Sequence, residues 1–397
     1  MIPRLKPYFN SKEIKAIFRL EQNSVEKFEK EFAKRFKAKY ALSFSYGRSA
    51  IHSIFKALNI KNSEIITPAY TCVVVPHAIV LSGNIPKFVD IDVKNYNLNL
   101  DEFAKKINNK TKVIIPGNIF GYPVNTEKLK EIIGTRDILT IQDCAHCFGA
   151  EWNKKLVCNE GDVAIFSLNI SKQLSSIFGG MLTTNNEEIY ERIKEYRDKN
   201  LRKSSSMRAL KKMAYLLAVY PAFNETLYNF VCYFDYLEGK KLFKKFTQYY
   251  RDDKIDFPKD AFELLTSIEA NVGREQLKKY SEIAEKKKNI AKYYDDNLKN
   301  IPGLTLPPII EGATYSHYVP KIENREKIIK KMRMSGIQVG KLIEYSIPHM
   351  TAYQKYKDGE FKNSLYCSKK TINLPIYPSL NKKKVNYIVS SLRKLII

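Results

Sequence analysis

Lys172 is the residue whose type and surroundings most directly suggest chemistry. It follows a short apolar run, Val163 to Phe166, that predicts a buried strand, and Ser167 lies between that run and the lysine. A glycine pair, Gly179-Gly180, comes shortly after it. Partial desolvation at the end of a buried strand makes the neutral lysine amine more available, so that it can form a Schiff base with pyridoxal phosphate (PLP). The alternative is a lysine whose long stem simply reaches the surface.

Gly47-Arg48-Ser49-Ala50 lies at a predicted junction between a strand and a helix. Glycine allows the tight turn, and the first N–H groups of a helix can hold a phosphate. A glycine at a turn is common in any fold, so this motif indicates a phosphate site only in combination with the other motifs.

Asp143 ends another predicted strand, in Ile141-Gln142-Asp143-Cys144-Ala145-His146. A carboxylate at the carboxyl edge of a parallel sheet points into the crevice where ligands bind, and opposite a pyridine nitrogen it favours the protonated ring. The alternative is a helix N-cap. His146 is placed to bond the cofactor's ring hydroxyl, or it is structural. Cys144 and Cys147 form a Cys-x-x-Cys, but no second pair with zinc-site spacing accompanies it, and no metal site is predicted.

The first half of the chain predicts a scaffold that would bring these residues together. Short apolar runs alternate with helical patterns, which is typical of a mostly parallel α/β sheet. The predicted strands are Tyr40–Phe44, Glu64–Thr67, Lys87–Val89, Val113–Pro116, Ile138–Gln142, Val163–Ser167 and Met181–Thr184. The predicted helices cover residues 11–37, 47–58, 73–81, 100–107, 126–133, 186–199 and 261–300.

The motifs, in this order, resemble the DegT/StrS family of PLP-dependent sugar aminotransferases, a fold type I group. The resemblance covers nearly the whole chain. Besides the three motifs above it includes Pro68-Ala69-Tyr70-Thr71, Phe88-Val89-Asp90-Ile91-Asp92 with Asn97-Leu98, Ile119-Phe120-Gly121-Tyr122-Pro123, Gly149-Ala150, Glu275-Gln276-Leu277 and Asn373-Leu374-Pro375-Ile376-Tyr377-Pro378. The implied fold is a large domain with a mostly parallel seven-stranded sheet, followed by a smaller C-terminal α/β domain.

The resemblance implies a role for each matching position. Lys172 would bind the cofactor covalently and then act as base and acid in the proton shift, and Asp143 would pair with the pyridinium nitrogen. His146 would lie near the ring hydroxyl. The cofactor phosphate would be held by Ser167 and by the helix start, with Gly47, Arg48 and Ser49. Some relatives have His in place of the lysine and are dehydratases, so the presence of Lys172 favours transamination.

The family's substrates are mostly keto sugars on nucleotide carriers, with glutamate as the usual amino donor. The implied reaction is therefore transfer of an amino group from an amino acid to a keto sugar, in surface polysaccharide or glycan biosynthesis. Substrate contacts are expected from the segments Tyr315–Tyr318 and Glu344–His349, with Tyr318, Tyr345 and His349 as the candidate residues. Fold type I enzymes generally share active sites between two subunits, which implies a homodimer.

Three features depart from the family pattern. An aromatic residue that stacks on the pyridoxal ring commonly follows the Pro-x-x-Thr motif, whereas this chain has Cys72. An Asn that reaches the phosphate from the partner subunit is common, whereas the matching stretch here is Lys259-Asp260-Ala261-Phe262-Glu263. Residues 200–255 form a basic and aromatic insertion.

The sequence predicts two domains, a large PLP-binding domain at 1–255 and a small domain at 256–397. The insertion at 200–255 favours either a helical hairpin that covers the core or an amphipathic element on a membrane surface or dimer contact. The membrane alternative suggests a lipid-linked or otherwise membrane-borne keto substrate. Lys240, Lys241, Lys244 and Lys245 would supply its charge.

The composition and the charge indicate where the protein is located and which partners it binds. The net charge of +25 is spread along the chain and no nucleic-acid motif accompanies it, so no specific nucleic-acid partner is expected. A different alternative is a non-catalytic protein of this fold that binds anions through its surface. The six cysteines lack a disulfide framework, and no signal peptide or spanning segment is visible. A cytoplasmic protein is expected, or one peripheral to the inner face of the membrane.

Overall fold

The computed structural model describes residues 1–221 and 254–396. Seven strands form the main sheet, in the spatial order β1-β9-β8-β5-β4-β2-β3. Their bounds are β1 (Tyr40–Phe44), β2 (Glu64–Pro68), β3 (Ile85–Val89), β4 (Thr111–Ile114), β5 (Leu139–Asp143), β8 (Val163–Ser167) and β9 (Gly180–Thr184), and a short hairpin, β6 (Glu151–Trp152) and β7 (Lys155–Leu156), lies outside the sheet. All pairs are parallel except those that β9 makes with β1 and β8.

Eight α-helices are described in the first 221 residues. They are α1 (Ser11–Ala16), α2 (Ser24–Arg35), α3 (Gly47–Ala57), α4 (Val74–Leu81), α5 (Leu100–Lys106), α6 (Thr126–Ile133), α7 (Glu187–Asn200) and α8 (Ser206–Val219). The seven-stranded, mostly parallel sheet expected from the sequence is confirmed. The helical stretch expected at 11–37 is interrupted between α1 and α2, and Asn23 there adopts a left-handed conformation with φ of 56°.

The residues after 254 add five helices and a small sheet. The helices are α9 (Ser267–Lys278), α10 (Tyr280–Leu298), α11 (Arg325–Met334), α12 (Lys362–Lys370) and α13 (Lys382–Ile396), and the antiparallel strands are β10 (Leu304–Thr305) and β11 (Lys321–Ile322). The long helix expected at 261–300 is two helices that meet at Lys279. A Cβ on Gly273 of α9 would lie 2.4 Å from the Phe28 ring of α2. Helix α9 therefore packs closely against α2.

The insertion expected at 200–255 lies partly outside the described residues, and Lys240, Lys241, Lys244 and Lys245 fall there. Its first part, α8, is held by its polar side chains. Lys212 donates to Asp260 at 3.2 Å and lies 4.1 Å from the centroid of the Phe178 ring, while Arg208 contacts Asp260 and Glu269. Among the described residues, the structure contains no helix long and apolar enough to cross a membrane.

A buried carboxylate links three elements beside the sheet. Glu29 of α2 accepts hydrogen bonds from the amide and the hydroxyl of Ser43 in β1, at 2.7 and 2.6 Å, and from Arg197 of α7 at 2.7 Å. The charges of Glu29 and Arg197 are therefore paired where both side chains are shielded from water.

The parallel strands β2, β4, β5 and β8 end at the same edge of the sheet. Ligands of open parallel sheets bind in the crevice outside this edge. The segments that follow the four strands begin at Ala69, Ile115, Cys144 and Leu168. They carry Cys72, Asp143 with His146, and Lys172 to one crevice, which is the arrangement that the sequence motifs require.

Candidate active site

Lys172 lies in a compact loop between β8 and β9. Its amide donates to the carbonyl of Asn169 at 2.8 Å, and Ile170 and Ile177 pair across the loop at 2.8 Å. Burial lowers the pKa of the Lys172 amine, while the nearby Cys72 and Asp143 side chains oppose this lowering. The structure therefore brings Lys172, Asp143 and Cys72 close enough to interact, as the sequence motifs require.

Asp143 ends β5 with only 6% of its surface exposed. Its Oδ1 accepts the amide of Ala145 at 3.0 Å. Burial raises the pKa of the carboxyl, and the Ala145 amide and the charge of Lys172 partly oppose this rise. A buried carboxylate favours the protonated form of a basic ring nitrogen beside it. A ring bound between Asp143 and the Lys172 amine could therefore keep a proton on its nitrogen.

His146 is buried three residues after Asp143, and its Nδ1 accepts the amide of Phe120 at 3.4 Å. Burial, together with the charges of Lys172 and Lys287, holds the pKa of His146 well below its usual range. The imidazole is therefore neutral near pH 7. Because Nδ1 is the acceptor of an amide, Nε2 is the nitrogen that carries the proton and can donate to a ligand.

The start of α3 is held against β8 and β9. A Cβ on Gly47 would lie 3.2 Å from the carbonyl oxygen of Phe166, and a Cβ on Gly180 would lie 2.3 Å from the carbonyl carbon of Tyr46. Glycine at both positions lets the helix begin directly beside Ser167, which pairs with Gly180 at the end of β8. The first amides of α3 lack acceptors within the helix and can bind an anion there.

Side chains near this helix start are engaged by the segment that precedes α9. Ser49 Oγ donates to the carbonyl of Ala261 at 2.7 Å, and the Tyr46 hydroxyl donates to Asp260 at 2.8 Å. The Arg48 guanidinium lies 5.7 Å from the centroid of the Tyr46 ring. Since the Ser49 hydroxyl is committed to Ala261, an anion at this place would be bound through the backbone of Arg48 and Ser49.

Cys72 follows β2, directly after the Pro68-Ala69-Tyr70-Thr71 motif. Its neighbour Thr71 is 1% exposed, and its hydroxyl has no hydrogen-bond partner among the described residues. The amide of Val73 donates to the Tyr345 hydroxyl at 3.2 Å. Tyr345 therefore reaches from the second half of the chain to the loop that carries Cys72.

The other two predicted substrate residues differ in their positions. Tyr318 is fully buried, packs against Tyr294 and donates its hydroxyl to Asp295 at 2.6 Å. This places Tyr318 in the core formed with α10, and we leave it out of the proposed site. His349 Nδ1 lies 3.1 Å from the Ser346 hydroxyl, and the backbone of its segment is anchored where Ile347 donates to Ala69.

Two residues of this crevice were not identified from the sequence. Lys287 of α10 is 4% exposed, donates to the carbonyl of Ser316 at 2.6 Å, and burial lowers its pKa to about 7. His317 lies with its ring centroid 5.0 Å from that of His146. Burial, the neighbouring His146 ring and the charges of Lys287, Lys172 and Arg4 hold the pKa of His317 well below its usual range.

A small cavity lies between two lysines and the first residues of the chain. Both Lys172 and Lys287 line it, and so do residues 5–8, which cover it from one side. Tyr8 is fixed there because its carbonyl accepts Gln276 Nε2 at 2.9 Å and its hydroxyl donates to Glu282 at 2.7 Å. The N-terminal segment is therefore part of the site, although the sequence motifs did not indicate it.

The residues present fit PLP. A partly desolvated amine, a buried carboxylate near it and a glycine-lined helix start correspond to the aldehyde, the ring nitrogen and the phosphate of that group. The unpartnered Thr71 hydroxyl is a further polar group that a ligand in the crevice can satisfy. Among the described residues, no cluster of side chains could hold a metal ion.

Comparison with known proteins gives a family match along most of the chain. Residues 13–233 and 261–393 match the family model described as the DegT/DnrJ/EryC1/StrS aminotransferase family. A protein of Methanocaldococcus jannaschii described as uncharacterized is 29% identical over 383 residues, which are 93% of this chain and 89% of that protein. GDP-perosamine synthase of Escherichia coli O157:H7 is 25% identical over 379 residues, 94% of this chain and 90% of that protein.

A solved structure has the same fold. GDP-4-keto-6-deoxymannose-3-dehydratase with a trapped PLP-glutamate geminal diamine superimposes with a TM-score of 0.78 at 22% identity. The match covers 99% of this chain and all of that one.

Proposed function

Because the chain belongs to the DegT/DnrJ/EryC1/StrS aminotransferase family, we propose that it is a PLP-dependent aminotransferase that moves an amino group from an amino acid to a keto sugar. The observation that carries this proposal is the buried pair of Lys172 and Asp143 at the carboxyl edge of the sheet. Burying an amine or a carboxylate costs free energy. A protein of this fold without catalytic activity would have no physical need to keep either group in a desolvated crevice.

PLP, when bound, supplies an electrophilic carbonyl and a ring that accepts electrons from the substrate. Lys172 would hold the group, and its amine, made less basic by burial, would move a proton at the reacting carbon. Asp143 would keep the ring nitrogen protonated, since a charged carboxylate favours that form. His146 would donate from Nε2 to the ring hydroxyl, and the backbone at Gly47, Arg48 and Ser49 would bind the phosphate together with Ser167.

The substrate assignment is supported by the relatives. GDP-perosamine synthase is named for a nucleotide-linked amino sugar, and the dehydratase structure holds an adduct of PLP with glutamate. We therefore assign a keto sugar on a nucleotide carrier as the acceptor and glutamate as the donor. Surface polysaccharide or glycan biosynthesis is the corresponding process. Tyr345 and His349 are assigned to the acceptor side and Cys72 to the face of the cofactor ring.

The visible absorbance spectrum of the purified protein tests the proposal. A Schiff-base band that is lost on adding glutamate and restored by a nucleotide-linked keto sugar is the expected result. Absence of the band after incubation with PLP, in protein that is folded by circular dichroism, would overturn the assignment of cofactor and lysine together.

The assembly and location are part of the same proposal. We assign a homodimer with shared active sites, a cytoplasmic location and the two-domain division at residue 255. Light scattering on the purified protein tests the dimer. The alternative of membrane contact through 200–255 is tested by co-sedimentation with anionic liposomes, where replacing Lys240, Lys241, Lys244 and Lys245 by Gln should abolish binding if the insertion carries it.

A further inference from the structure

A second cavity lies beside Lys172, between the first residues of the chain and the segments around residues 342 and 373. Its polar lining is Arg4, Ser171, His317 and Asn373, and its remaining lining is leucine and isoleucine. None of the residues that line it is acidic. Ser171, which lines this cavity, is the chain neighbour of Lys172, and Leu5 and Ile376 line both this cavity and the one that Lys172 lines.

Asn373 presents an unused donor to this cavity. The side chain is 1% exposed, and its Oδ1 accepts the amide of Leu342 at 2.8 Å. This bond fixes the orientation of the amide group. Its Nδ2 has no hydrogen-bond partner among the described residues. An unpaired buried donor costs free energy, which a ligand oxygen would recover.

Arg4 is brought to Asn373 by the backbone. Ile2 pairs with residues 336–338, where its amide donates to Gly336 at 2.7 Å and its carbonyl accepts Gln338 at 2.9 Å. Gly340 exchanges two backbone hydrogen bonds with Asn373, at 2.7 and 3.3 Å. A Cβ on Gly340 would lie 2.8 Å from Arg4 Cδ, so the arginine side chain crosses directly over this glycine.

The charges around the cavity have one sign. The side chains whose positive charges act on His317 are Lys287, Lys172 and Arg4. His317 itself stays neutral, because its pKa lies well below the usual range. A guanidinium and a fixed amide N–H beside two lysines match the geometry of a carboxylate, which Arg binds through parallel hydrogen bonds.

We propose that Arg4 and Asn373 form a carboxylate-binding subsite for the substrate that reacts at Lys172. This inference rests on the proposed aminotransferase function and adds to it the group that recognises the substrate. The carboxylate has two sources, the amino acid donor and an acceptor sugar that carries an acid group. The same contacts would serve either one.

The test measures binding of anions that cannot react. Glutarate, which has the two acid groups of glutamate but no amine, is titrated into the PLP-loaded protein by calorimetry. UDP-glucuronate and UDP-glucose, which differ in one carboxylate, form the second arm. The variants are Arg4→Gln and Asn373→Asp, the latter of which keeps the Oδ1 bond to Leu342 and replaces the donor by an acceptor. Arg192→Gln and Asn109→Asp are exposed controls with the same changes of charge.

We expect both variants to weaken carboxylate binding by about tenfold or more, as for hydrogen bonds to charged groups, and the controls to leave it unchanged. Loss of glutarate affinity, with slower spectral conversion by glutamate, assigns the subsite to the donor. Loss of the preference for UDP-glucuronate over UDP-glucose assigns it to the acceptor. Carboxylate binding that is unchanged in both variants, or undetectable in the unmodified protein, overturns the subsite.

Failure of this inference differs from failure of the proposed function. If the unmodified protein and both variants form the Schiff-base band, convert equally with glutamate and keep the same preference for UDP-glucuronate over UDP-glucose, the aminotransferase assignment stands and the subsite is wrong. If no protein forms the band, the proposed function fails, and a glutarate titration without the cofactor still reports on the cavity.

Discussion

Gly180 and Tyr46 approach so closely that a single methyl group at residue 180 would lie 2.3 Å from the carbonyl carbon of Tyr46. The first residue of β9 therefore sets the position of the turn that begins α3. Gly180→Ala should displace this turn, weaken PLP binding and lower the free energy of unfolding by about 1–3 kcal/mol, as in other overpacked sites. Spectral titration with PLP and urea unfolding measure the two effects.

The control for Gly180 is Gly359→Ala. A Cβ on Gly359 would meet only ordinary contacts, the nearest at 3.7 Å on the Phe361 ring, and the residue is exposed. We expect wild-type PLP affinity for this protein. Wild-type affinity in Gly180→Ala as well would show that the turn does not contribute to the phosphate site.

Lys172→Ala should abolish covalent attachment of PLP and reduce turnover by at least about a thousandfold. The fold should survive, because Lys172 is in a loop whose bonds to Asn169 come from the backbone. Absorbance and a coupled transaminase assay are the measurements, and exposed Lys299→Ala is the control. Retained turnover in Lys172→Ala would contradict the catalytic assignment.

Lys287 should make stability depend on pH. Burial lowers its pKa to about 7 in the folded protein, whereas the unfolded chain has the ordinary value of 10.5. Between these values the unfolded chain holds more protons, so the folded state gains stability as pH rises, at up to about 1.4 kcal/mol per pH unit. Unfolding of the PLP-free protein and of Lys287→Met at pH 7, 8 and 9 should show this gain in the wild type alone.

Exposed Lys288→Met is the matched control for Lys287, because the two residues are neighbours on one helix. It should show the same pH dependence as the wild type. Parallel stability curves for wild type and Lys287→Met would mean that the amine of Lys287 keeps its charge in the fold.

Glu29→Ala should destabilise the protein by about 3 kcal/mol, because it removes three hydrogen bonds and leaves Arg197 without its buried partner. Denaturant unfolding measures the change. Exposed Glu26→Ala on the same helix should cost less than about 1 kcal/mol. Equal midpoints for the two variants would show that the Glu29 cluster contributes nothing to stability.

The sheet and its carboxyl-edge residues could be predicted because each strand is a local apolar run. Tyr40–Phe44 and Val163–Ser167 match their predicted bounds, and the other five strands differ by one or two residues at their ends. Asp143 and Lys172 are recognisable since each comes soon after such a run. Predicting where the strands end was therefore enough to locate these two site residues.

The rest of the site depends on tertiary contacts that leave no local pattern. Lys287 stands between Lys286 and Lys288, and the three lysines resemble a solvated helix face, of which the fold buries one. The segment 315–318 was expected to contact substrate, but the sequence did not show that His317 faces the crevice while Tyr318 faces the core. Ser49 donates to a residue 212 positions away, and nothing near it in the chain indicates this bond.

The pairing of Ile2 with residues 336–338 has a practical consequence for handling the protein. Of the residues that follow, 5–8 line the first cavity, and Arg4 and Leu5 line the second. Proteolytic cleavage within residues 4–8 would therefore remove part of the wall of both cavities without touching the strands of the sheet. The mass of each preparation should be verified before kinetic constants from different preparations are compared.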